Sequence, residues 1–171
     1  MQALGYDVRR PNAAQVAMQH IVATRAGAWF FARTLHHLDR ALLSLSRGQV
    51  TFSAIAGGQP VLIVTTTGAR TGQPRTTPLL GVPAGDDIAL IGSSFGQPRN
   101  PGWYYNLRAN PKAEVTYRDK TIRAIAREAG DDERQAIWDR AVTIYAGYQA
   151  YASWITNREI HIMILSAPDV Q

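Results

Sequence analysis

Two strand-like runs, VLIVTTT (61–67) and QPRTTPLLGV (73–82), lie on either side of Gly68-Ala69-Arg70-Thr71-Gly72. Five residues with two glycines can reverse a chain but are too few for a crossover, so the runs must pair antiparallel as a hairpin. The texture then repeats. Pro83 to Asp87 reads as a second turn, leading into a strand from Ile88 to Ser94. Ala113–Tyr117 and Thr121–Glu128 form another hairpin around Asp119-Lys120, and Glu159–Leu165 is a last strand. No regular strand–helix alternation accompanies them, and neither a GxGxxG nor a Walker pattern occurs. The pattern predicts a mainly β, α+β fold: an antiparallel sheet or small barrel with helices packed outside, not a doubly wound nucleotide fold.

The helices fall at the ends and in the connections. Residues 1 to about 12 read as a loose arm, and the pattern is helical from Ala13 to about Ser46. Leu35, Leu38, Leu42 and Leu45 recur on one face, with Gly27 as an expected break. Arginines 25, 33, 40 and 47 intersperse the apolar residues of this segment. An amphipathic cover for a core fits this pattern, and so does a basic helix lying on an anionic membrane. Trp103–Ala109 reads as a short helix, Asp131-Asp132-Glu133 opens a longer one to about Tyr145, and Tyr148–Trp154 is a further helical piece. The division expected is an arm and helical extension over 1–48 and a barrel domain over 49–171.

Composition narrows the chemistry. The 171 residues are 46% hydrophobic, enough for a packed core in one domain with an extension. Cysteine is absent, which excludes disulfides, thiol nucleophiles and thiolate metal sites and agrees with a reducing cytoplasm. The four histidines show no metal-ligand spacing, and GxSxG is missing, so no metal site and no serine hydrolase are expected. No signal peptide or spanning helix is legible. The net charge of +5 favours anionic partners. The basic residues are dispersed without a nucleic-acid motif, so nucleic acid is not the expected partner.

Three stretches concentrate the candidate chemistry. In the turn, the amides of Gly68 to Gly72 can converge on an anion, while Arg70 and Arg75 add planar donor forks suited to phosphate or carboxylate. A plain turn with solvated arginines fits the same residues. Ser93-Ser94-Phe95-Gly96, with Asn100-Pro101-Gly102-Trp103, forms a polar Gly/Pro-rich loop ending at a helix N-terminus. Here the serines are expected to end a strand and offer hydroxyls; the alternative is a loop anchored by Trp103. Finally, Tyr145, Tyr148, Tyr151 and Trp154 recur every three residues along one helical flank. Such a stripe is either core or the wall of a flat apolar pocket that also offers phenol donors. Gly147 within it suggests a bend.

Taken together, TTTGARTGQPRTTPL (65–79), NPGWYYNLRANP (100–111) and YAGYQAYASW (145–154) resemble the deazaflavin-dependent nitroreductases, over about the last two thirds of the chain. That family resembles the split β-barrel, FMN-binding-like flavin reductases and uses coenzyme F420. The resemblance implies a split barrel with flanking helices. It also implies coenzyme contacts at Gly68, Arg70, Thr71, Gly72, Arg75, Pro78, Ser93, Ser94, Pro101, Gly102 and Trp103. Two departures remove positive charge: Ala69 replaces one of two basic turn residues, and Ser94 stands where a lysine often follows the serine.

The activity so implied is hydride transfer from reduced deazaflavin to an electron-poor acceptor such as a quinone, an activated nitro compound or an enone. Ser93 and Tyr145 are the expected catalytic hydroxyls, and Leu80, Tyr145, Tyr148, Tyr151 and Trp154 the acceptor's surroundings. Leu80 stands where some members carry a tyrosine. Two other readings stay open: a non-catalytic carrier of F420 or a fatty acid, and an FMN-dependent reductase on the same barrel. The expected setting is cytoplasmic, with residues 13–46 touching the inner face of the membrane, and a homodimer.

Overall fold

The computed structural model describes residues 4–8, 11–34, 58 and 60–168. Six strands close into an antiparallel barrel: β1 (Val61–Thr67), β2 (Pro74–Ala84), β3 (Asp87–Ile91), β4 (Lys112–Tyr117), β5 (Lys120–Glu128) and β6 (Ile162–Ser166). Their order around the barrel is β1-β2-β3-β6-β5-β4, and β1 pairs with β4 to close it. The first hairpin pairs Val61 with Leu80 and Thr67 with Pro74, in the register that the flanking runs required.

Side-chain alternation makes two cores. On β1, Leu62, Val64 and Thr66 point inward and are buried, while their neighbours are only half covered. Strands β3 and β6 are covered on both faces, which explains why they read as unbroken apolar runs. Ile88, Leu90, Met163 and Leu165 fill the barrel; Ala89, Ile91, Ile162 and Ile164 face an outer cluster under the helices. Helix Gly102–Ala109 contributes Trp103, Tyr104 and Leu107 to the inner core, at the i, i+1, i+4 spacing of one helical face. Helices Asp131–Ile144 and Gly147–Trp154 cover the outer cluster with Ile137, Ala141, Tyr148 and Tyr151.

Several elements differ from the sequence expectation. The N-terminal arm is not loose where it is described. Leu4 is buried in the inner core, and the Tyr6 hydroxyl accepts the Gly81 amide proton at 3.1 Å while its ring meets Tyr117 edge-on. Phenol plus ring anchor an arm whose local pattern carries no such signal. The helical segment breaks at Ala23-Thr24, after helix Ala13–Val22, and residues 25–34 are helical again. Gly27 lies inside the second helix. A Cβ there would sit 2.0 Å from the Ile21 carbonyl oxygen, so the glycine permits the close approach of two helices and does not end one. The leucine stripe at 35–45, Arg40, Arg47 and the 48/49 boundary lie outside the described residues. Strand β3 stops at Ile91, so Ser93 and Ser94 belong to the connection and not to a strand end.

Candidate active site

A cavity of about 1320 Å³ lies outside the barrel, between the β1–β2 surface, the 93–103 loop, the aromatic helix and the N-terminal helices. Its wall has two chemically distinct ends. Arg70, Arg75 and Asn106 line one end at the β1–β2 turn, Arg99 and Asn100 line the 93–103 loop, and Arg33 stands on the helical side; among the described residues the wall carries no carboxylate. Leu80, Ile91, Phe95, Tyr145, Tyr148 and Tyr151 form an apolar, phenol-bearing end, joined by Met18, Val22 and Phe31 from the N-terminal helices.

The Gly68–Gly72 turn is built differently from the expectation. Gly68 N–H donates to the Gln73 carbonyl at 2.9 Å, and the Thr71 and Gly72 amides donate back to the Gly68 carbonyl at 3.2 and 2.8 Å. The Ala69 amide donates to Asn106 Oδ1 at 2.9 Å, and the Gln73 amide to Thr71 Oγ1 at 3.3 Å. Of the amides from Gly68 to Gln73, only that of Arg70 has no partner among the described residues. The turn's backbone is therefore spent on its own shape, and its side chains are what remain for an anion. Arg75, opposite Thr66 in the ladder, reaches Thr71 Oγ1 at 3.5 Å. Asn106 completes the arrangement by donating to buried Thr66 Oγ1 at 3.0 Å, which fixes the loop helix against the turn.

The backbone anion site lies instead at Ser93–Phe95. Ser93 is right-handed (φ −66°, ψ −32°), and Ser94 and Phe95 are left-handed (φ 49° and 54°). A right-handed residue followed by a left-handed one turns successive amides to the same side, forming a concave nest for an anion. Each left-handed non-glycine residue costs about 1–2 kcal/mol, so surrounding contacts must hold the shape. The Ser94 and Phe95 amides have no partner among the described residues. Nor does the Ser93 hydroxyl, although Ser93 is only 7% exposed and lies in the cavity wall. A buried hydroxyl without a protein partner is uncommon, and on a cavity wall solvent or a ligand atom can complete its bonding. The N-terminus of helix Gly102–Ala109 opens on the same wall, and a Cβ on Gly102 would meet nothing within 4 Å.

At the other end, a hydroxyl chain runs across the wall. Tyr151 Oη donates to the Val22 carbonyl at 3.2 Å, and Tyr145 Oη lies 2.9 Å from Tyr151 Oη. A phenol has one proton, so with Tyr151 bonded to Val22 it is Tyr145 that donates to Tyr151. Burial raises the pKa of all three tyrosines above the ordinary phenol value, most strongly for Tyr148 and Tyr151. They are neutral phenols at neutral pH. Gly147 starts the aromatic helix rather than bending it. A side chain there would strike the Tyr145 ring at 2.3 Å, so the glycine lets Tyr145 fold back over its own helix.

Of the residues expected at the site, Gly68, Arg70, Thr71, Arg75, Pro78, Leu80, Ser93, Ser94, Pro101, Gly102, Trp103, Tyr145, Tyr148 and Tyr151 share this one wall. Gly72 and Trp154 do not. Gly72 closes the turn, and Trp154 packs on Tyr151 with the Arg25 guanidinium 5.7 Å from its ring centroid. The sequence reading missed Arg99, Asn106 and the N-terminal wall residues. Asn106 stood within the quoted 100–111 motif and Arg99 immediately before it; the wall residues had only their apolar periodicity as a signal.

A split antiparallel barrel with an external cavity, cationic at one end and apolar at the other, defines a cofactor-dependent oxidoreductase of the flavin and deazaflavin type. The chain belongs to the F420H(2)-dependent quinone reductase family, which matches residues 40–167. It is therefore an F420-dependent reductase. An F420H(2)-dependent quinone reductase of Mycobacterium tuberculosis (strain ATCC 25618 / H37Rv) is 36% identical over 118 residues, 66% of this chain and 76% of that one. A second protein of the same strain, named for the same activity, is 32% identical over 108 residues, 62% of this chain and 88% of that one. Among solved structures, an F420-H2 dependent reductase (FDR-A) is 37% identical with a TM-score of 0.57, covering 63% of this chain and 94% of that one. Another, described as a domain-swapped dimer, is 31% identical with a TM-score of 0.59, covering 81% of this chain and 97% of that one.

The donor set fits the coenzyme. A phosphate and carboxylates require cations and amides without competing carboxylates; a deazaflavin ring requires a flat apolar surface. The two ends of the cavity supply one each.

Proposed function

We propose that this reductase acts on a quinone, with the coenzyme's anionic tail at the arginine end of the cavity and the quinone against the tyrosines. The observation that carries the reading is the chemical division of one continuous wall: Arg70 and Arg75 at one end, Tyr145, Tyr148 and Tyr151 at the other, with Arg99 on the loop that also lines it. Arg70 and Arg75 hold carboxylate or phosphate by charge-assisted bonds, and the amides of Ser94 and Phe95 with the Gly102 helix N-terminus receive phosphate. Pro78, Pro101 and Trp103 shape the surface for the ring. Bound in its reduced form, F420 supplies the hydride.

The protein's part in the chemistry is orientation and proton supply. Ser93 Oγ is the hydroxyl free to donate to an oxygen that gains negative charge. Tyr145 differs. Its proton is engaged by Tyr151, so it offers lone pairs to the acceptor and supplies a proton only if the Tyr151–Val22 bond is exchanged. Leu80, Phe95 and Tyr148 exclude water around the acceptor ring.

The test is a fluorescence titration with oxidised F420, with FMN run beside it, followed by oxidation of reduced F420 with and without a short-chain quinone. Saturable F420 binding and quinone-accelerated oxidation are expected. Binding without acceleration would reduce the protein to a carrier and overturn the proposal.

The finer setting is peripheral to the membrane, on the cytoplasmic side. Ile21, Trp29 and Phe30 are about half exposed, in the helices that wall the apolar end of the cavity, and the Arg33 guanidinium lies over the Trp29 ring. Apolar side chains flanked by cations suit an anionic lipid surface that also carries quinone. Cosedimentation with anionic vesicles, lost on Trp29→Ser with Phe30→Ser, is the expected result; indifference to vesicle charge would reject it. The domain-swapped neighbour supports a homodimer, which light scattering would read directly.

A further inference from the structure

We infer that Arg158 is a positioning residue for the coenzyme's phosphate: it holds the Ser93–Phe95 nest from behind, so that the Ser93 and Ser94 amides face the cavity. The inference rests on the phosphate placement proposed above.

Arg158 is half-buried at the approach to β6 and is not part of the cavity wall. Its guanidinium donates to the carbonyls of Gly92 (3.0 Å), Ser93 (2.9 Å) and Gln97 (3.1 Å), to Asn100 Oδ1 (2.7 Å) and to its neighbour's carbonyl at Glu159 (2.9 Å). Every acceptor is neutral, and no carboxylate is within ion-pair distance among the described residues. Four of the five acceptors belong to the single loop 92–100. A planar fork with donors on three nitrogens can span them; an ammonium cannot.

The geometry gives this clamp a direction. Among the described residues no peptide bond is cis, and in a trans peptide the carbonyl and the following N–H point to opposite sides. With the Gly92 and Ser93 carbonyls held on Arg158, the Ser93 and Ser94 amides point away from it; Ser93 and Ser94 line the cavity and Arg158 does not. The same cation polarises those two peptides, which strengthens their N–H groups as donors. It also fixes Asn100: with Oδ1 engaged by Arg158, the Asn100 side chain presents its NH₂ group to the wall it lines. The strained backbone at Ser94 and Phe95 needs such a restraint, because two consecutive left-handed non-glycine residues do not hold themselves. Burial lowers the Arg158 pKa, as desolvation does for a cation whose partners are dipoles only.

The test compares two probes: F420, and its deazaflavin nucleoside fragment, which carries neither phosphate nor carboxylate. Dissociation constants are measured by fluorescence for the unaltered protein, Arg158→Met and Arg158→Lys. The unaltered protein should prefer F420. In Arg158→Met that preference should shrink roughly 10- to 100-fold, with nucleoside affinity within about twofold. Arg158→Lys should fall between, because it keeps the charge and loses the fork. A purely structural role predicts equal losses for both probes and an unchanged preference; that result, or no loss at all, overturns the inference. If Arg158→Met does not fold, the preference measured in Arg158→Lys decides. Absence of any F420 preference in the unaltered protein would instead sink the phosphate placement itself.

Discussion

Tyr151 gives its hydroxyl proton to the carbonyl oxygen of Val22, 3.2 Å away, and so ties the aromatic helix to the end of the first N-terminal helix. One bond thus closes the apolar end of the cavity and dictates the direction of the Tyr145 proton. In Tyr151→Phe both effects vanish, and Tyr145 can donate to a ligand. Affinity for F420 should be unchanged while the acceptor KM rises several-fold. An unchanged acceptor KM would show that the N-terminal wall takes no part in acceptor binding.

Ser93→Ala removes a buried hydroxyl that has no partner among the described residues. Losing an unsatisfied polar group should leave the melting temperature unchanged or slightly raised. Turnover should fall roughly 10- to 100-fold if the hydroxyl serves the reaction. A clear loss of melting temperature would assign Ser93 to the fold instead.

Asn106→Leu leaves the Ala69 amide and the buried Thr66 hydroxyl without their shared partner. Unfolding free energy should drop by about 1–3 kcal/mol. F420 affinity should drop with it, because the turn carrying Arg70 loses its seat on the loop helix. Denaturant unfolding and a coenzyme titration on the same sample read both.

With all of the turn's amides but that of Arg70 committed, the side chains of Arg70 and Arg75 carry most of the anion contact. Arg70→Ala and Arg75→Ala should each weaken F420 binding roughly 10- to 100-fold. The loss should narrow as ionic strength rises, since part of the attraction is screened. Equal loss for the uncharged nucleoside fragment would place these arginines away from the anion.

Burial raises the pKa values of Tyr6, Tyr145, Tyr148 and Tyr151 above the ordinary value of 10.0. Above about pH 10 the unfolded chain ionises these phenols and the native protein does not. The unfolded state then binds fewer protons, so stability falls as pH rises through that range and is fully present below it. Melting temperature should be flat with respect to these groups from pH 7 to 9 and should decline from about pH 10 upward. Tyr145→Phe should flatten part of the decline.

Much of the fold was legible because strands and helices announce themselves over a few residues. Val61–Thr67 formed as read, and Asp131–Ile144 began at its acidic turn. The cavity's residues were legible as motifs, but their division of labour was not. The Gly68–Gly72 turn looked like an anion nest; apart from that of Arg70, its amides are used by Gln73, Asn106 and the turn's own oxygens. Trp154 shares the periodicity of the tyrosines, yet packs on Tyr151 beside Arg25. Arg158 had no local signal, since its partners lie about 60 residues earlier.

By itself, the sequence determined the antiparallel hairpins and the residue types that suit an anionic, flat coenzyme. Short-range sterics and hydrophobic periodicity are properties of neighbouring residues, and they survive in one dimension. Tertiary structure alone decided that β1 closes on β4, that the cavity lies outside the barrel, and that the Ser94 and Phe95 amides have no partner among the described residues. Those outcomes depend on which distant donor reaches which acceptor first. A hydrogen-bonding group used once is unavailable for a second role, and only the packed structure shows where each was used.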